Sequence, residues 1–189
     1  TVTGGIRFFD FQCAAPKSVS VLTLFDPRLV KAHEEAVCRA MDELERLAAV
    51  RVRVGENAQT RNYRITGRLV YAQFTHDTSR SLDPQLHTHN VVVNVTKDED
   101  GSYKALEALE MCRAIRYAGK VYHNHLARKC RELGYETVAH RDEKGRIVWF
   151  DLEGVPEEVM EMFSKRRKEI EAEEQKFLEE HGRKPTLAE

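Results

Sequence analysis

The stretch HDTSRSLDPQLHTHNVVVNV, residues 76–95, decides how this chain is read, because it sets His76, His87 and His89 around one polar loop. Successive side chains of a strand point to opposite faces, so His87 and His89 share a face while Thr88 points to the other. The preceding run, Arg68 to Phe74, has the β-branched and aromatic mix of a strand. Folding back through Asp77 to Leu86 then brings His76 beside the pair. Three imidazoles converging on one face make a metal site with open coordination positions, an arrangement that goes with catalysis more than with structure. The loop DTSRSLDPQ between the arms is a poor choice for a purely structural hairpin.

Other metal patterns are missing from the sequence. It has no HExxH of a metalloprotease and no CxxC of a structural zinc site, and no acidic residue between His89 and Asp98 to complete a cupin-like set. His123 and His125 repeat the HxH spacing, but in a helical stretch, where residues two apart diverge by about 200° around the axis. They do not share a metal.

At 189 residues the chain can bury one proper core, and a single domain over 1–189 is expected. Charged residues make up 32% and no apolar run is long enough for a membrane span or signal peptide, so membrane insertion is not expected. Cys13, Cys38, Cys112 and Cys130 lie far apart without paired spacing, which suits reduced thiols in a cytoplasmic protein. The net charge of −1 divides unevenly: residues 1–140 hold 20 Lys and Arg against 17 Asp and Glu, whereas residues 141–189 hold 10 against 14. This excludes a globally basic nucleic-acid binder and leaves a local groove as the only way to hold DNA.

Along the chain, Ile6 to Gln12 reads as a strand and Pro16 to Phe25 as a short helix packed on the sheet. Asp26 as N-cap and Pro27 in the first turn start a second helix, with Val30, Val37, Met41, Leu44 and Leu47 keeping helical spacing to about residue 50. Arg51 to Val54 reads as a short strand, Asp98 to Gly101 as a turn, and Tyr103 to Leu106 as the return strand. Met111 to Leu133 is expected as one helix closed by Gly134. A hairpin follows, Tyr135 to His140 and Arg146 to Leu152, turned by Asp142 to Gly145. Residues 153–189 form a charged C-terminal helical segment of the same domain, in which Lys165 to His181 is a solvated helix. The architecture is an α/β (α+β) domain, a mainly antiparallel sheet with helices packed on one face.

Two runs, FFDFQCAAPKSVSVL (residues 8–22) and FTHDTSRSLDPQLHTHNVVVNVT (residues 74–96), resemble the conjugative relaxases of the MobF class, the TrwC/TraI type of the HUH endonuclease superfamily. YHNHLARKCRELGYE (residues 122–136) is similar to that family as well, and the match runs in order over about residues 6–152. The resemblance implies a palm-like fold and a metal-dependent DNA strand transferase. Such an enzyme nicks one strand at a plasmid transfer origin through a tyrosine that attacks the scissile phosphate and stays joined to the 5′ phosphate. The family's metal ligands fall on His76, His87 and His89, and its acidic residue beside the site falls on Asp10. The implied cofactor is a divalent ion, Mg²⁺ or Mn²⁺, with Zn²⁺ or Ni²⁺ able to substitute. The implied partners are single-stranded DNA at a transfer origin and the relaxosome and coupling proteins, with the protein a monomer in the bacterial cytoplasm.

The chemistry agrees with these roles. A divalent ion on three histidines can take a phosphate oxygen in its open positions. Asp10 can orient a ligand imidazole or help take the nucleophile's proton. Lys17 and Arg80 are the expected DNA phosphate contacts, although either could equally serve a structural salt bridge. Gln85 and Thr78 are further polar neighbours. One departure stands out: the family's tyrosines lie upstream of the strand that carries Asp10, and none of the nine residues before Asp10 is Tyr. The expectation is a fragment lacking its nucleophile, which binds metal and single-stranded DNA without nicking it.

Three rival readings remain open on the sequence. Tyr117 and Lys120 form a YxxK spacing after the HxH strand, as in replication-initiator relatives, which would make Tyr117 a nucleophile. A three-histidine metal hydrolase acting on a small molecule would need a cleft rather than an open groove. A nonenzymatic DNA-binding remnant would have a vestigial site.

Overall fold

From Pro84 to Val93 a two-residue period governs burial. Leu86, Thr88, Asn90 and Val92 are each no more than 1% exposed, while His87, His89, Val91 and Val93 alternate with them and face the other way. That strand is the centre of the molecule. The computed structural model describes residues 5–52 and 62–183. In chain order the elements begin β1 (Phe8–Ala14), α1 (Lys17–Leu22), α2 (Arg28–Glu45), β2 (Ala49–Val52) and β3 (Asn62–Ile65). β4 (Tyr71–Thr78), β5 (Pro84–Val93), β6 (Thr96–Lys97) and β7 (Tyr103–Lys104) follow. The chain continues with α3 (Leu109–Arg113), α4 (Ile115–Glu132), β8 (Thr137–Arg141), β9 (Ile147–Leu152), α5 (Glu157–Met162) and α6 (Lys165–His181).

β5 pairs antiparallel with β1 on one side and β4 on the other. The remaining strands form three separate antiparallel pairs, β2–β3, β6–β7 and β8–β9. One face of the three-stranded sheet is covered by α2 and α4, whose apolar stripes close the core. Leu29, Ala36, Ala40 and Leu44 of α2 meet Ala118, Tyr122, Leu126 and Cys130 of α4, together with Phe11 and Val92 of the sheet. Burying a Leu side chain stabilises by about 1.5–3 kcal/mol, so these two stripes hold the helical layer down. The other face has no helix of that layer on it: Phe8 and Phe74 there are 57% and 52% exposed, while His87 at its centre is 9% exposed. Among the described residues no helix is long and apolar enough to cross a membrane, and all four cysteines are free.

The expected α+β layout with helices on one face is the one found, and several boundaries differ, among them β1, which runs over Phe8–Ala14 rather than Ile6 to Gln12, and α1, which is confined to Lys17–Leu22. β4 runs on through His76 to Thr78, so His76 belongs to the strand and the turn is short, closed by Ser79 N–H to the Asp83 carbonyl at 2.8 Å. No Gly or Pro between Phe74 and Ser79 stops it. The helix expected over Met111 to Leu133 is two, broken at Ala114, whose N–H is shared between the carbonyls of Glu110 (3.0 Å) and Met111 (3.1 Å) as the last turn of α3 tightens. α2 has Pro27 in its cap position, with Asp26 one residue further out still accepting the Arg28 N–H at 3.0 Å, and its buried stripe starts at Leu29 rather than Val30. The strand expected over Arg51 to Val54 begins earlier, at Ala49, and Arg53 and Val54 lie outside the described residues. Gly134, at φ 95°, closes α4 as expected: its N–H reaches Arg131 O and the next, from Tyr135, reaches Cys130 O, both at 3.0 Å.

Candidate metal centre

On the bare face, β5 presents His87 and His89, and the β4 register sets His76 directly opposite His87. The ring centroids stand 5.2 Å apart for His76–His87, 5.2 Å for His87–His89 and 5.9 Å for His76–His89. With metal–nitrogen bonds of about 2.0–2.1 Å, three imidazoles around one ion keep their centroids roughly 5 Å apart. The rings are therefore neighbours at slightly more than that spacing. Among the described residues, no three His, Cys, Asp or Glu side chains have their donors already drawn into a coordination shell. The reason is visible in the ring planes: His76 and His87 are stacked at 28°, so their nitrogens lie side by side instead of aiming at one point. His76 is exposed, so turning its ring gives up the stack on His87 but opens no cavity in the core.

Two of the three rings have their tautomer set. His89 donates Nδ1–H to the Asp10 carboxylate at 2.7 Å, and His87 donates Nδ1–H to the Gln85 carbonyl at 2.8 Å. Each is left with its lone pair on Nε2, the form in which a histidine with an outer hydrogen bond ligates a metal. Asp10 reaches His89 because the β1 register pairs Gln12 with His89, and Asp10, two residues back, shares that face. With the two side chains 50% and 33% exposed, this contact contributes little stability of its own. Its consequence is orientation. The donor set suits a divalent cation with positions left open for oxygen ligands.

Behind the sheet lies a group that the sequence reading missed. Thr88, between the paired histidines, turns its hydroxyl to the helical side, where it meets His33 Nε2 at 2.8 Å and Thr75 Oγ1 at 2.9 Å. His33 Nδ1 in turn meets the Tyr122 hydroxyl at 2.7 Å. His33 is fully buried, and burial pushes its pKa down to about 4, with the nearby His87 imidazole adding to the effect. The available signal was its place in the α2 stripe, one turn from Leu29 and from Val37.

Other expected site residues fall differently. Lys17 donates Nζ to the carbonyls of Pro84 (3.0 Å) and Phe163 (2.8 Å), and burial lowers its pKa. Two of its three donors thus tie the start of β5 to the residue after α5, a structural role beside the phosphate contact expected from sequence. Arg80 lies exposed in the β4–β5 turn. Thr78 ends β4 opposite Pro84, and Gln85 serves the site through its backbone carbonyl.

The YxxK pair is on the wrong layer. Tyr117 donates its hydroxyl to Glu43 of α2 at 3.3 Å, and Lys120 donates to the carbonyls of Ile147 and Val148 at 2.6 and 2.9 Å. The sheet separates both from the histidine face, which removes Tyr117 as nucleophile. Recesses of about 720, 350 and 490 Å³ lie elsewhere, and none of the three is lined by His76, His87 or His89. His123 and His125 diverge as expected, one against Tyr122 and Phe150, the other beside Arg128.

The family model of the TrwC relaxase matches residues 4–189. The multifunctional conjugation protein TraI of Escherichia coli is 40% identical over 173 residues, covering 86% of this chain and 9% of that protein. TraI of Escherichia coli strain K12 is 38% identical over the same length. Among solved structures, the copper-bound conjugative relaxase TrwC in complex with oriT DNA superposes with a TM-score of 0.80 at 36% identity, covering 96% of this chain and 60% of that one. TrwC complexed with a 27-mer DNA comprising the recognition hairpin and the cleavage site gives a TM-score of 0.80 at 37% identity, over 95% of this chain and 61% of that one. This chain spans 9% of the length of the curated relatives it matches. With the family pattern running through almost all of its residues and the fold shared at this identity, the chain belongs to the TrwC relaxase family.

Proposed function

We propose that this chain is the part of a conjugative relaxase that binds a divalent metal ion through His76, His87 and His89. On the same face it receives single-stranded transfer-origin DNA for nicking by tyrosine transesterification. The observation that carries this reading is the placement of three adjacent imidazoles on a bare sheet face, two of them with Nδ1–H already engaged by Asp10 and by the Gln85 carbonyl. The similar TrwC structures support it, since they hold oriT DNA and two hold metal. A divalent ion at these residues would neutralise charge on a phosphate oxygen and fix the phosphate for in-line attack. Asp10 keeps the His89 ring turned toward that position, and the Gln85 carbonyl does the same for His87. Arg80, exposed in the β4–β5 turn, is the residue we assign to a backbone phosphate.

Magnesium or manganese is the ion we assign in the cell, a choice supported by the hard oxygen chemistry of phosphate. The family resemblance supports relaxosome and coupling proteins as further partners and a monomer in the bacterial cytoplasm. None of the chain's six tyrosines is on the histidine face. Tyr71, the only one in the three-stranded sheet, pairs with Val92 on the helix side, and the others lie on β3, β7 and α4 or just beyond α4. This arrangement supports the reading that none of these six is the nucleophile.

The experiment is fluorescence anisotropy with a transfer-origin oligonucleotide, with Mn²⁺ and with EDTA. Mn²⁺ should strengthen binding by the intact chain, and His87→Ala and His89→Ala should each remove that gain while leaving binding in EDTA unchanged. Equal strengthening by Mn²⁺ in both variants would overturn the ligand assignment. A covalent 5′-phosphotyrosyl adduct on this chain would overturn the reading of its tyrosines.

A further inference from the structure

The buried side chains of α2 and α4 are apolar or cysteine except His33 and Tyr122, and these two belong to a continuous polar chain that ends directly behind the histidines. Tyr122 of α4, His33 of α2, Thr88 of β5 and Thr75 of β4 are linked by contacts of 2.7, 2.8 and 2.9 Å. Tyr122, His33 and Thr88 are each at most 1% exposed. Every contact joins a possible donor to a possible acceptor, with all the protons pointing toward Thr75 or all toward Tyr122, so no bond in the chain is wasted. Val at position 88 would pack the same volume in a strand without any hydroxyl to satisfy, so packing alone does not ask for this chain.

Its position explains it better. The Thr75–Thr88 pair is the next register step after the His76–His87 pair, on the opposite face of the same two strands. Because a one-residue slip sends every side chain of a strand to the other face, a directional bond at this step fixes which side chains face outward and how far apart they stand. His33 anchors that bond from the helical layer, which is itself held by the core.

We propose that His33 is a positioning residue of the metal centre, which grips Thr88 and through it Thr75 and so holds His76, His87 and His89 in the mutual placement that a cation requires. This rests on the reading that those three histidines are the ligands.

The test is a Co²⁺ titration of the chain followed by its visible d–d absorption, which reports the ligand geometry apart from any cleavage. Thr88→Val should bind Co²⁺ about tenfold more weakly with a shifted spectrum, as loss of an orienting partner does, while Thr88→Ser restores both. Leu44→Ala, a core truncation on α2 three turns from His33, should lower stability yet leave affinity within about twofold and the spectrum unchanged. Thr75→Val lies on an exposed edge strand and supplies a reading if Thr88→Val does not fold; it should weaken Co²⁺ in the same direction. Wild-type affinity and spectrum in these threonine variants would overturn the proposal while leaving the metal site standing, as would an equal loss in Leu44→Ala. Failure of the unsubstituted chain to bind Co²⁺ would overturn the ligand reading and the proposal together.

Discussion

Asp10 and the Gln85 carbonyl perform the same task on neighbouring rings, but only one of them can be removed by substitution. Asp10→Ala should weaken Mn²⁺ binding by about 10–100-fold, the usual cost of losing a ligand's outer hydrogen bond, with Asp10→Asn in between because its carbonyl still accepts. Calorimetric titration measures this, and an unchanged affinity in Asp10→Ala would show that His89 needs no orientation. His33 adds a pH effect of definite sign. Its pKa is about 4 in the folded chain and about 6.5 in the unfolded one, so between those values the unfolded chain takes up a proton that the native one refuses. Stability is complete above about pH 6.5, falls as pH drops, and levels off below about 4, the loss from this group being at most about 3 kcal/mol. Urea melts in EDTA at pH 7.5 and 4.5 should show a smaller difference for His33→Gln than for the unsubstituted chain, and equal differences would contradict the burial argument. At this scale the sequence was legible wherever two-residue alternation decides, as for His87 and His89. It was illegible where strand register decides. The contact between Asp10 and His89 spans 79 residues and depends on which β1 residue lies opposite His89.

The helices and strands themselves were mostly readable from periodicity, because α2 and α4 each bury one stripe and expose the rest. Leu126 is fully buried where α4 meets the core, and Leu126→Ala should cost about 2–5 kcal/mol through its cavity. Tyr117→Phe, one residue before the buried Ala118 but 56% exposed, should change stability by less than about 0.5 kcal/mol and leave oligonucleotide binding intact. Denaturant melts of the two variants check both expectations. What periodicity did not show is where elements stop without a Gly or Pro. Ala114 breaks the α3–α4 run with an ordinary helix former, and β4 carries on through polar Asp77 and Thr78 because an edge strand tolerates them on its open side. The structural bonds of Lys17 were hidden for a related reason: its ammonium reaches carbonyls 67 and 146 residues away, which local sequence does not reveal.

Taken whole, the molecule is a three-stranded sheet with one clothed face and one bare one, and a net charge of −1 over the full chain. Affinity for a polyanion must then come from the few groups at the bare face rather than from the overall field. Arg80→Ala should weaken single-stranded DNA binding about equally for all sequences and reduce the slope of log K against log salt by about 0.7, the share of one phosphate contact on a single strand. An unchanged slope would place the DNA path away from the β4–β5 turn. The layered plan was visible in the alternating strands and amphipathic helices, and the triad in its spacing, whereas the polar chain from Tyr122 to Thr75 needed four elements to be assembled first. The most direct test of the central claim is anomalous diffraction from a crystal of this chain soaked in Mn²⁺. The account predicts a single strong peak within bonding distance of His76, His87 and His89 on the bare sheet face, with the His76 ring turned out of its stack on His87. Peaks only at other sites, with the three rings left as they stand, would contradict it.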